Sequence, residues 1–197
     1  MRLTKEELAR VALLLLAAAI GMGGFGGAPQ PRRWSEVRSG WLFRSAQIPR
    51  GDVAVVLRER RIDTVIDLTD DVVDRDREAE ESAARALGVH YLHIPVSPGR
   101  WRQVDAFARA VAAIAQAHER GERVLVHCEL GHRRSASAVA LYARLVEHEP
   151  ASVAYRELMR YADSHAAWQA DARDFLERNL PEIEMRVRAS LGVSPPA

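Results

Sequence analysis

Residues 123–135 read RVLVHCELGHRRS. The first four, Arg123 to Val126, read as a core strand, with Val124 to Val126 a short apolar run of the kind that fills a buried strand. The Ala-, Val- and Leu-rich segment that follows, Arg134 to Glu147, is predicted as a helix. A strand that turns through a short loop into a helix aims several backbone N–H groups and the positive end of the helix dipole at one point. That geometry suits a phosphate-like dianion. Cys128 stands at the start of this loop, where the same field favours the thiolate over the thiol. Arg134 closes the loop six residues later, and its planar fork can hold two oxygens of a phosphoryl group. Gly131 allows a tight turn. Ser135 can donate its hydroxyl hydrogen to the thiolate, and His127 is expected to pack beneath the loop and bond backbone carbonyls. Glu129, Leu130, His132 and Arg133 complete the loop, with His132 and Arg133 on its rim.

Working outward, the chain alternates strand-like and helix-like segments. Trp34 to Val37 and Trp41 to Arg44 read as short strands around Gly40. Asp52 to Arg60 reads as a helix, Thr64 to Leu68 as a buried strand, and Asp74 to Leu87 as a charged amphipathic helix ending at Gly88. Val89 to Val96 reads as a strand closed by Pro95 and Pro98, and Trp101 to Glu119 as a long helix. Helices are predicted over Pro150 to Ala162, Ala166 to Asn179 and Pro181 to Ala189. Such alternation predicts an α/β fold with a central, mainly parallel sheet flanked by helices. The acidic run Asp70 to Glu81 reads as a loop and an exposed helix face. His90 and His93 lie three apart in a strand and so point to opposite faces, which argues against shared metal coordination.

The composition constrains partners more than it suggests them. Among 197 residues, 28 Lys and Arg balance 27 Asp and Glu, leaving a net charge of +1. That balance lacks the basic excess of a nucleic-acid binder. A single cysteine permits no internal disulfide, and 48% hydrophobic residues suffice for a packed core without one. Val11 to Ala28 is an eighteen-residue stretch without charge, preceded by Arg2, Lys5 and Arg10. It is expected to be an apolar N-terminal helix that anchors the chain in a membrane, or a cleaved export signal. The expected organisation is residues 1–28 as anchor or signal, 29–33 as linker, 34–190 as one globular domain and 191–197 as a tail. The chain would then be membrane-associated through its N-terminal segment, or exported.

The pattern His127-Cys128-x-x-Gly131-x-x-Arg134-Ser135 resembles the signature loop of the protein tyrosine and dual-specificity phosphatase superfamily. Leu42 to Gln47 resembles the opening segment of its compact, atypical, bacterial-type members. The run Ile62 to Leu68, then Glu78 to Pro95, is similar to their strand–helix–strand passage. The resemblance implies a cysteine-phosphatase fold and hydrolysis of phosphoesters through a phosphocysteine, with no metal or other cofactor. Cys128 would be the nucleophile, Arg134 the phosphate clamp and Ser135 the thiolate's hydrogen-bond donor. A phosphorylated protein, phosphotyrosine above all, or a small phosphoester such as an inositol or lipid phosphate would be the substrate. One feature of the family is missing: its acidic loop position falls at Ser97. The general acid is therefore Asp70, Asp71, Asp105 or Glu129, or there is none. A catalytically weak phospho-binding module at the membrane, or a rhodanese-like sulfurtransferase, would be the alternatives.

Overall fold

The computed structural model describes residues 29–70, 75–97, 102–160 and 166–193. The expected N-terminal apolar helix and Asp71 lie outside these residues. Among the described residues five strands form the sheet: β1 (Ser35–Arg38), β2 (Leu42–Ala46), β3 (Thr64–Asp67), β4 (His90–His93) and β5 (Val124–Cys128). The helices are α1 (Val53–Glu59), α2 (Arg75–Leu87), α3 (Val104–Glu119), α4 (Arg134–Leu145), α5 (Ala151–Ala154), α6 (Arg156–Met159), α7 (Ala166–Arg178) and α8 (Leu180–Ser190).

The sheet order is β1-β2-β5-β3-β4. Only β1 runs antiparallel, joined to β2 by a tight turn in which Gly40 adopts φ +80°. The other pairings are parallel, in a register that sets Ala46 beside Cys128 and Asp67 beside His127. The carboxyl ends of β2, β3 and β5 therefore finish level. In an open α/β sheet that edge is where ligands bind.

Strand side chains alternate between faces, and β5 shows the consequence. Val124, Val126 and Cys128 join a large core with Phe107, Ile114, Leu141 and Ile183, from α3, α4 and α8. Leu125 packs on the other face with Val53, Val56 and Leu57 of α1 and Ala84 of α2. His127, two residues beyond Leu125, thus faces α2.

Some boundaries differ from the sequence reading. The predicted helix over Pro150 to Ala162 is two separate turns, α5 and α6, because Tyr155 leaves helical geometry at φ −85°, ψ 6°. The strand ending at Val96 closes as β4 at His93, since Pro95 has no N–H to donate. Bonds from the N–H groups of Ile94 and Val96 to the carbonyls of Asp67 and Thr69 still carry that segment alongside β3.

Candidate active site

The loop between β5 and α4 wraps the sulfur of Cys128. Ser135 Oγ lies 3.5 Å from Sγ, and the backbone N–H groups of Gly131 and Ser135 also point at the sulfur. Burial alone would raise the thiol's pKa, because a buried charge loses its hydration. The Arg134 guanidinium, the Ser135 hydroxyl and the two amides outweigh burial and bring Cys128 below the ordinary thiol value.

Arg134 is pinned before any ligand arrives. Its Nη1 donates to the carbonyls of Leu68 at 3.1 Å and Val96 at 2.9 Å, one at the end of β3 and one on the extension of β4. Its Nη2 donates to Glu129 Oε2 at 3.1 Å. Two strand ends thus fix the plane of the guanidinium beside Cys128.

Gly131 is required for two independent reasons. Its φ is +65°, and a Cβ built there would lie 2.5 Å from the Ala46 nitrogen and 2.8 Å from the Ser45 carbonyl carbon. The loop therefore rests directly on the end of β2. Arg44 of β2 completes this support. It is fully buried, and its Nη1 donates to the Gly131 carbonyl at 2.7 Å while Nε donates to Glu157 Oε2 at 2.8 Å. Arg33 Nη1 donates to the Leu130 carbonyl at 2.9 Å, and Gln47 N–H donates to the Glu129 carbonyl at 3.3 Å.

On the rim, Leu130 and Glu129 are exposed while His132 and Arg133 are half-buried. Burial, and then the charges of Arg134 and Arg102, push the Arg133 guanidinium's pKa down. Arg102 itself is ion-paired with Asp171 of α7. Arg134 and Arg133 therefore put positive charge beside Cys128, offset in part by Glu129 against Arg134 and Asp171 against Arg102.

His127 does not bond backbone carbonyls as expected. It is fully buried, and its Nε2 lies 3.0 Å from Glu80 Oε2 and 3.7 Å from Asp67 Oδ1. Glu80 also corrects the reading of the acidic run as a wholly exposed helix face: it is 0% exposed on the inner side of α2.

Among the candidate acids, Asp105 is 67% exposed and meets Arg186 of α8 at 3.3 Å, not a loop residue. Asp70 lies two residues beyond Leu68, whose carbonyl holds Arg134, and Glu129 touches Arg134 directly. The sequence signal for Arg44 was a lone charge inside an apolar strand. For Glu80, one of seven acids between residues 70 and 81, the sequence offered none.

Residues 49–170 match the family model of the dual specificity phosphatase catalytic domain. No curated protein matches the chain in sequence. Several solved structures share its fold. The core catalytic domain of the PP-IP phosphatase SIW14 from S. cerevisiae, in complex with citrate, superposes with a TM-score of 0.66 at 15% identity, covering 85% of this chain and 98% of that one. Tk-PTP in its active form gives 0.59 at 20% identity, with coverages of 78% and 97%. PTPMT1 in complex with PI(5)P gives 0.55 at 17%, with coverages of 76% and 97%. At these identities the likeness is one of fold.

Proposed function

Because the chain belongs to the dual specificity phosphatase family, we propose that it hydrolyses phosphate monoesters with Cys128 as the nucleophile. One observation carries this reading: the Cys128 sulfur is ringed by the Ser135 hydroxyl, two backbone amides and the Arg134 guanidinium. In the first step the thiolate attacks phosphorus, the P–O bond to the leaving group breaks, and the leaving oxygen takes a proton. Arg134 and the loop amides hold the equatorial oxygens as charge builds on them. In the second step water attacks the phosphocysteine and the S–P bond breaks. Ser135 then donates its O–H to the departing thiolate. Splitting one displacement into two is the gain of covalent catalysis.

The substrate we propose is a multiply phosphorylated small molecule or lipid headgroup. Arg133 beside the Arg134 guanidinium supports this, since neighbouring guanidiniums favour a dense anion. The descriptions of SIW14 as a PP-IP phosphatase and of PTPMT1 bound to PI(5)P are consistent with it. Residues 8–28 would tether this site to a membrane.

The test is hydrolysis of para-nitrophenyl phosphate in the presence of chelator, followed by comparison of an inositol polyphosphate with a phosphotyrosine peptide. Activity that disappears in Cys128→Ser supports the thiol mechanism. No turnover of any of these esters by folded protein would refute it. Asp70→Asn, Asp71→Asn and Glu129→Gln test for the acid. Loss of the true acid costs about 10²–10⁴-fold on an alkyl phosphate and far less on the aryl ester, whose leaving group needs no proton.

A further inference from the structure

Beneath the phosphate loop lies a layer of ionisable side chains that the hydrolytic steps do not use. Asp67 at the end of β3, Glu80 on α2 and His127 at the end of β5 are each fully buried. Their ligand atoms lie within 4.8 Å of one another. Such a trio could hold a cation, but Asp67 is already supplied with donors. It accepts from Thr69 N–H at 2.8 Å, Thr69 Oγ1 at 2.9 Å and Tyr91 Oη at 2.8 Å. Glu80 has no such supply. Neither of its oxygens completes a hydrogen bond among the described residues, nor does either ring nitrogen of His127, although Glu80 Oε2 and His127 Nε2 lie 3.0 Å apart.

Two buried carboxylates need a compensating positive charge. A single proton is available to supply it, on Glu80 or on the ring. Imidazole is the stronger base by about two pKa units, and the thiolate of Cys128 next door also favours a charged ring. We infer that Asp67 and Glu80 are positioning residues. With His127 doubly protonated against them, they form a buried carboxylate–imidazolium layer that orients the ring and keeps a positive charge against the nucleophile. Burial would push the ring's pKa down, but the Glu80 and Asp67 carboxylates outweigh burial and hold it at about 9. The other titratable groups of the layer are Tyr91 and His93 of β4 and Arg77 of α2. His93 Nε2 is 3.8 Å from Asp67 and 3.3 Å from Arg77 Nη1. The functional side of this inference rests on the phosphatase reading; the protonation state of His127 does not.

The experiment therefore has two arms on the full-length protein. In the first, imidazole NMR identifies His127 by the signal missing in His127→Gln. The expected result is a doubly protonated ring at about pH 8, with a midpoint at least about one unit lower in Glu80→Gln, a tenfold loss of proton affinity. In the second, kcat/KM on para-nitrophenyl phosphate is followed with pH. Glu80→Gln should approach the native protein at about pH 6 and fall about threefold or more behind it by about pH 8.5, because a ring whose midpoint has dropped a unit or more from about 9 is then mostly neutral. A purely structural defect would give a ratio that does not change with pH. Glu80→Asp should restore part of the difference, and Asp67→Asn serves if Glu80→Gln does not fold. A neutral ring at about pH 7 in the native protein, an unshifted midpoint in Glu80→Gln, or a flat ratio would overturn the inference. An imidazolium in a protein that turns over no phosphoester would refute the phosphatase reading alone.

Discussion

Replacing Arg44 with leucine tests whether the phosphate loop depends on the strand beside it. Arg44 is 0% exposed and joins the Gly131 carbonyl to both the carboxylate and the carbonyl of Glu157 on α6. Removing one partner of a buried ion pair costs about 3–5 kcal/mol. Glu157 is 18% exposed and keeps Arg160 at 3.0 Å, which argues for the lower end of that range. The Gly131 carbonyl loses a donor inside the protein, which adds about 1 kcal/mol or more. The total is about 4 kcal/mol. For a chain of this size each kcal/mol lowers Tm by about 2–4 °C, so Arg44→Leu should melt about 8–16 °C early. Below its melting point it should hydrolyse aryl phosphate at least about tenfold more slowly, because the turn at Gly131 is no longer held. Arg44→Lys should recover part of the stability but not the two-sided contact, since an ammonium cannot reproduce the planar fork. Thermal unfolding and kcat/KM are read on the same preparations. In a double-mutant cycle with Glu157→Gln, the two losses should fall short of additivity by about 1 kcal/mol or more. A melting shift under about 2 °C, less than 1 kcal/mol, together with unchanged turnover would refute the reasoning.

Three further outcomes follow from the loop itself. Gly131→Ala forces a Cβ to 2.5 Å from the Ala46 nitrogen at φ +65°. The conformation costs about 1–2 kcal/mol and the crowding about 1–3 kcal/mol, so both Tm and affinity for vanadate should drop, as melting and inhibition assays would record. The Cys128 pKa lies below the ordinary thiol value, chiefly through Arg134 acting against burial. The thiolate forms as pH rises, so the acidic limb of kcat/KM, and of iodoacetamide alkylation, should lie below about pH 8.5 and move upward in Arg134→Ala. Because the chain has a single cysteine, alkylation reports on this thiol alone. Ser135→Ala removes a hydrogen bond to a charged sulfur, worth about 1.5–3 kcal/mol. It should slow breakdown of the phosphocysteine more than its formation, so rapid-mixing traces should show a nitrophenol burst.

Much of this site could be read from the chain because it is local. Residues 127–135 bring the sulfur, the turn, the hydroxyl and the guanidinium within one strand–loop–helix passage, and loop geometry of that kind follows from sequence spacing. The parallel sheet was equally legible, since Val65-Ile66 within β3 and Val124 to Val126 within β5 are short β-branched or apolar runs too short for helices and bounded by polar residues. What escaped was whatever depends on two distant segments meeting. On α2 the buried positions are Glu80 and Ala84, one turn apart, so the inner face of the helix has almost no apolar stripe to mark it. A glutamate among many acids reads as solvated until a partner is known, and that partner, His127, belongs to a strand whose neighbours are set by the tertiary fold. The alternation of β5 already placed His127 on the face opposite Cys128. What the sequence could not supply was that Asp67, Glu80 and Tyr91 converge on that same face. A buried polar residue becomes legible only as part of its full hydrogen-bonding set. The expectation that His127 bonds backbone carbonyls failed for this reason: two carboxylates from other elements, Glu80 Oε2 at 3.0 Å and Asp67 Oδ1 at 3.7 Å, already occupy the surroundings of Nε2.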